Sequence, residues 1–164
     1  MKISLSYLLL YFVTNTLHAQ SPAGIQFFTG SWYDALAEAK RQNKPLFVDV
    51  YANWCPPCRR MAREAFPDAK VGGKYNARFI NYRVDAELRG GIEVARAYAV
   101  TSYPTLLYVA PNGELIQRSV GYGGINGLLT QADMALAIPK LRRYLAKAAR
   151  ANADSLRRAV RGTR

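Results

Sequence analysis

Apolar residues fall in two kinds of run along this chain of 164 residues, and each kind predicts a different element. Trp32, Ala35, Leu36 and Ala39 recur at helical spacing. Ser31 is placed to cap that helix, with Asp34 three residues on instead of the usual Glu or Gln, and Asn43-Lys44-Pro45 ends it. Leu46-Phe47-Val48-Asp49-Val50-Tyr51 is a short, nearly continuous apolar run, the pattern of a buried strand. Ala52-Asn53-Trp54 then turns the chain into a second helix, with Pro57 in its first turn and good helix formers from Arg59 to Glu64. Phe66-Pro67-Asp68 breaks or kinks this helix, Asp68 is placed to cap a short continuation, and Gly72-Gly73 interrupts it again. Arg78 to Val84 reads as a second strand, Ile92 to Ala99 as a helix, and Thr105 to Ala110 as a third strand. Pro111-Asn112-Gly113 is a hairpin turn into a fourth strand, Glu114 to Val120. A last helical stretch begins near Asn126, is interrupted by Pro139 and resumes to about Val160. The order α, β, α, β, α, β, β, α predicts an α/β fold with a central mixed sheet flanked by helices. The earlier strands are expected to be parallel and the last two antiparallel.

The two ends of the chain depart from this alternation. Lys2, the apolar run Leu5 to Val13, polar Thr14-Asn15-Thr16 and Ala19 outline a secretory signal peptide, residues 1–19, although Leu17 is larger than usual for its place before the cut. The alternative is an uncleaved anchor, but the run is well short of the ~20 apolar residues a bilayer span needs. The expectation is an exported protein, periplasmic or extracytoplasmic once cut near Ala19. Residues 20–30 read as a linker or edge segment, residues 31–138 as the domain, and residues 139–164 as a basic helical extension. That extension holds Lys140, Arg142, Arg143, Lys147, Arg150, Arg157, Arg158, Arg161 and Arg164 against Asp154, and so supplies most of the net charge of +12. Ile138, Leu141, Leu145, Ala148, Ala149, Leu156 and Val160 form a weak apolar stripe along it. The extension is either a solvated helix on the domain or a weak contact for an anionic membrane surface or acidic partner. With no interleaved aromatics, nucleic acid is not an expected partner.

Half of the residues are hydrophobic and 21% are charged, enough for a packed core. Cys55 and Cys58 are the only cysteines, and the single histidine, His18, lies in the signal segment. Histidine-assisted catalysis is therefore excluded for the mature chain, and Arg59 excludes the usual haem-attachment signature. Two sulfurs are too few for a structural zinc site, so neither metal nor cofactor is expected. In Trp54-Cys55-Pro56-Pro57-Cys58 the first cysteine stands at a helix N-terminus and the second one turn in, on the same face. That separation suits a disulfide. Orphan backbone N–H groups and the positive end of the helix dipole favour a thiolate at Cys55, the accessible attacking sulfur. Cys58, further into the helix, suits the resolving role. Arg59 and Arg60 add positive potential, weakened by solvent. The alternative is an inert staple, but a bridge across two residues constrains the unfolded chain less than a long-range one.

Asp49-Val50-Tyr51-Ala52-Asn53-Trp54-Cys55-Pro56-Pro57-Cys58 resembles the active-site stretch of the thioredoxin superfamily. The similarity continues through Phe66-Pro67-Asp68, Val84-Asp85, Ser102-Tyr103-Pro104-Thr105 and Pro111-Asn112-Gly113-Glu114, from about Ser31 to Gly121. In these features the chain is similar to the thioredoxin-like domains of envelope disulfide reductases, including the soluble C-terminal domain of membrane-embedded thiol–disulfide interchange proteins. The resemblance implies a thioredoxin-like fold and thiol–disulfide exchange on protein substrates, fed by an upstream thiol electron donor. It implies Cys55 as nucleophile, Cys58 as resolving thiol and Asp49 as the buried acid that manages the inner cysteine's proton. A solvated carboxylate is the alternative for Asp49, although an acid inside so apolar a strand is costly without a purpose. Pro104 matches the cis-proline beside the disulfide that pairs with substrate backbone, whereas the residues alone leave trans as the default. Tyr103 and Trp54 join it at the substrate surface, although Trp54 could equally be core packing.

Three departures bear on potential and substrate choice. Pro56 stands where thioredoxin has glycine, Tyr103 stands where a smaller residue is common, and Asn81 stands where thioredoxin has a buried lysine near the acid. The absence of histidine between the cysteines points to reductase or isomerase work rather than oxidation. The competing reading is a non-enzymatic module that docks partners through Tyr103-Pro104 or the tail.

Overall fold

A computed structural model describes residues 23–162. The signal segment, residues 1–19, and the first residues of the linker lie outside them. Helix α1 (Trp32–Gln42) starts where Ser31 Oγ accepts from the Asp34 N–H at 3.2 Å and the Asp34 carboxylate accepts from the Ser31 N–H at 2.9 Å. Aspartate thus replaces the longer acid of a capping box. Asn43, at φ +50°, closes the helix in the left-handed conformation.

Strand β1 (Leu46–Tyr51) runs through the middle of a four-stranded sheet ordered β2-β1-β3-β4. Its parallel neighbour β2 (Ile80–Asp85) pairs with it from Leu46 opposite Ile80 to Tyr51 opposite Asp85. On the other side β3 (Thr105–Val109) is antiparallel to β1, and β4 (Leu115–Val120) is antiparallel to β3. Parallel pairing therefore stops at the first two strands, and the reason is length. Helix α4 (Gly91–Ala97), between β2 and β3, has seven residues, about 10 Å of helix. A six-residue strand is about 20 Å long. So short a helix cannot return the chain to the far end of the sheet, and Thr105 enters opposite Val50, at the end where β2 left.

Alternation along the strands divides the core by face. Phe47, Leu106 and Tyr108 pack with Met61 of α2 (Pro56–Glu64), Tyr75 of α3 (Ala69–Arg78) and Leu128 of α5 (Gly124–Gly162). The buried Tyr75 and Tyr108 hydroxyls bond each other at 2.7 Å, and Tyr75 donates to the Leu128 carbonyl at 2.9 Å. Val48, Val50, Tyr82, Leu107 and Val109 fill the other face beneath α1 and α4.

Phe66-Pro67-Asp68 separates α2 from α3, with Asp68 as the N-cap, but the interruptions expected at Gly72-Gly73 and at Pro139 do not occur. Helix α3 runs through Gly72 and Gly73. A Cβ on Gly72 would overlap the Gly24 backbone, whereas one on Gly73 would meet nothing. Gly72 therefore serves close approach of the N-terminal segment. In that segment Ile25 is buried and donates its N–H to the Phe66 carbonyl, and Phe28 donates to the Asn81 carbonyl, both at 2.7 Å. Helix α5 continues through Pro139 for 39 residues in all. The proline removes one N–H, and the bonds on either side hold the helix. Of the tail's apolar stripe, Leu145, Ala148, Leu156 and Val160 lie outside the residues whose side chains are described. Among the described residues no helix is long and apolar enough to cross a membrane.

Candidate active site

Strand β1 delivers the chain to the edge where β2, its parallel neighbour, also ends. The turn between β1 and α2 is tied to the loop that follows β2. Asn53 Nδ2 donates to Asp85 Oδ2 at 2.5 Å, and Trp54 Nε1 donates to Glu87 Oε1 at 2.7 Å. The other Asp85 oxygen accepts from the Glu87 N–H at 2.9 Å. Trp54 is thus held by its indole N–H while 62% exposed, so it is a surface residue and not part of the core.

Cys55 is the N-cap of α2. Pro56 and Pro57 fill the first helical positions and carry no N–H, so the expected fan of free donors is reduced. What remains beside the sulfur is the Cys58 N–H, which donates to Cys55 Sγ at 3.3 Å. The two cysteines are joined as a disulfide with their Cα atoms 5.4 Å apart. Arg60 is paired with Glu64 at 2.9 Å, and Arg59 donates to the Asn53 carbonyl at 3.0 Å. Of the two arginines, Arg59 is therefore the one engaged with the turn itself.

The sequence predicts an accessible outer sulfur, and here the structure differs. Cys55 is 2% exposed, hardly more than Cys58 at 1%. Tyr51 and Tyr103 pack against the cysteines, and Tyr103 meets Trp54 edge-on with ring centroids 6.1 Å apart. The bulky residue before Pro104 is what distinguishes this cover. The Tyr103–Pro104 peptide is cis, as the resemblance implies. Its loop is pinned by Thr105 Oγ1, which donates to the Ser102 carbonyl at 2.7 Å, and by the Gly121 N–H, which donates to the Pro104 carbonyl at 2.7 Å.

Asp49 is fully buried within β1, on the same face as Phe47. Loss of water pushes its carboxyl up to about 6, against the opposing pull of Arg83. Arg83 Nε donates to Asp49 Oδ2 at 2.9 Å, and its guanidinium lies over the Tyr51 ring, 4.0 Å from the centroid. Oδ1 finds no donor among the described residues.

Arg83, Asp85 and Glu87 are the residues that sequence reasoning leaves without a role. Asn81, which stands in the place of the family's lysine, instead ties down the N-terminal segment. Its Nδ2 donates to the Gln26 carbonyl at 3.1 Å and to Asn76 Oδ1 at 3.0 Å. Residues 81 and 83 share a face with Asp49, and the parallel register sets Arg83 directly opposite it. What identifies Arg83 is the observed register, which sets the fourth residue of β2 level with Asp49, the fourth residue of β1.

Fold and site together define a thioredoxin-like protein with a Cys-x-x-Cys pair at disulfide distance. The chain belongs to the thioredoxin-like domain family, whose pattern matches residues 32–132. It is 35% identical over 91 residues to thioredoxin H4 of Arabidopsis thaliana, which is 55% of this chain and 71% of that protein. It is 32% identical over 81 residues to thiol:disulfide interchange protein DsbD 2 of Pseudomonas aeruginosa, 48% of this chain but only 14% of that longer protein. The solution structure of a proposed disulphide-isomerase from Bacteroides thetaiotaomicron superposes with a TM-score of 0.63 at 36% identity, covering 70% of this chain and 94% of that one. Family and geometry support thiol–disulfide oxidoreductase chemistry.

Proposed function

We propose that this protein reduces or exchanges disulfides in other proteins of the cell envelope, with Cys55 as nucleophile and Cys58 as resolving thiol. The observation that carries this reading is the bonded Cys55–Cys58 pair at the N-terminus of α2, packed against the residue of a cis Tyr103–Pro104 peptide. In the reducing direction the Cys55 thiolate attacks one sulfur of a substrate disulfide. A Cys55–substrate bond forms as the substrate's own S–S bond breaks, and the departing thiolate takes a proton. Cys58 then gives up its proton and attacks Cys55 Sγ. The second substrate thiol leaves, and the Cys55–Cys58 disulfide remains. Two electrons have passed to the substrate, and an upstream thiol donor restores the dithiol. Asp49 is the candidate base for the Cys58 proton, because a carboxyl near 6 is largely ionised at neutral pH yet still basic enough to share a proton. Trp54, Tyr103 and Pro104 supply the surface for the substrate backbone.

Reduction or isomerisation is favoured over oxidation because Pro56-Pro57 places no imidazolium beside the Cys55 thiolate. The envelope location rests on the signal pattern of Met1 to Ala19. Insulin reduction with a thiol donor tests the activity, and Cys58→Ala tests the order of attack by accumulating a mixed disulfide. Absence of both signals overturns the reading. A potential near −270 mV marks a reductant, and one near −120 mV marks an oxidant, both being order-of-magnitude guides. The burial of Cys55 favours a second reading, a non-enzymatic docking module, and a Cys55→Ser variant that keeps full function would establish it.

A further inference from the structure

A groove of about 670 Å³ opens at the pole opposite the cysteines. Strand β1 separates the two places: Pro45, at the groove, precedes it, and the turn to Cys55 follows it, with about 20 Å of strand between. The floor is apolar, built from Leu115 and Ile116 of β4 and Leu136 and Pro139 of α5. The rim is cationic, with Lys44, Arg78, Lys140, Arg142 and Arg143 against a single carboxylate, Glu114. Among the described residues the ion pairs engage other side chains, and none of these five cations is in one. Leu136, Pro139, Lys140 and Arg143 stand at i, i+3, i+4 and i+7, so one face of α5 supplies both floor and rim.

Like charges gathered over a low-dielectric floor focus positive potential into the groove. A small inorganic anion answers the charge but leaves the floor wet, and an uncharged apolar molecule does the reverse. The volume falls within the roughly 300–1,000 Å³ of small-molecule sites. We propose that this groove binds a single-chain amphipathic anion, its phosphate or carboxylate head among the five cations and its apolar chain on the floor. The site is distinct from the dithiol and does not depend on its chemistry.

Titration calorimetry with dodecyl phosphate, kept below its micelle concentration, tests this directly. Inorganic phosphate serves as the head alone, dodecyl maltoside as an uncharged chain, and phosphatidylglycerol vesicles as a membrane surface. Saturable one-to-one binding of dodecyl phosphate is expected, weakened at least about tenfold by Arg78→Glu and by Lys44→Glu. The variants should keep the wild-type circular dichroism and insulin-reduction rate. If Arg78→Glu fails to fold, Arg142→Glu, at an exposed position, carries the same expectation. No binding, equal binding of either half-probe, binding indifferent to charge reversal, or binding to vesicles alone overturns the proposal.

Discussion

A carboxyl group stripped of water is held in its ionised form by what touches it, and the cation that touches Asp49 is Arg83. Burial outweighs that contact, so the group binds its proton more tightly in the folded chain, near 6, than at its ordinary 3.8. The contribution of Asp49 to stability is then greatest below about pH 4 and is lost as pH rises through 4 to 6. Asp49→Asn is expected to stabilise the fold by about 2–3 kcal/mol at pH 7, and by little at acid pH. Urea denaturation at the two pH values reads the difference, and equal effects at both would rule out a raised Asp49 carboxyl. Arg83→Gln removes a charge that holds the Asp49 carboxyl down, so the pH midpoint for decay of the mixed disulfide should move upward. Tyr103→Ala should uncover Cys55 and accelerate its alkylation in the reduced protein several-fold. The cysteines, Asp49 and Trp54 are legible because each lies at a short, fixed offset from the Cys-x-x-Cys motif. Arg83 is not, since its place opposite Asp49 is set by register across the sheet. Nor is the cover over Cys55, which comes from a loop distant in the chain.

Elements carry a different lesson. The helices, strands and hairpin can be read from periodicity and turn residues, and the capping box at Ser31 and Asp34 forms as its spacing predicts. The direction of β3 depends on arithmetic between elements: the predicted helix from Ile92 to Ala99 is already too short to span a strand. The glycine pair in α3 illustrates the limit of local reading, because two adjacent glycines have opposite reasons to be there. Gly72→Ala forces a methyl group into the Gly24 backbone and should cost about 1–3 kcal/mol. Gly73→Ala meets open space and should stabilise the helix by about 0.5–1 kcal/mol. Parallel denaturation curves of the two variants check both signs. In α2, paired prolines trade two backbone donors for a rigid first turn, so less of the Cys55 environment comes from free N–H groups than the motif suggests.

At the scale of the whole molecule, one strand links two poles of different chemistry. One presents a covered disulfide with an exposed Trp54, the other a cationic groove over an apolar floor. The family pattern ends at residue 132, so much of the basic helix that builds the groove lies outside it. The proposed exchange chemistry requires that Cys55, not Cys58, be the attacking thiolate. Alkylation of the reduced protein with iodoacetamide from about pH 5 to 9, mapped by mass spectrometry, tests it most directly. Cys55 is expected to be modified first, with a rate midpoint below the ordinary thiol value of about 8.5, while Cys58 stays protected. Modification of Cys58 first, or a Cys55 midpoint at or above that value, would contradict it.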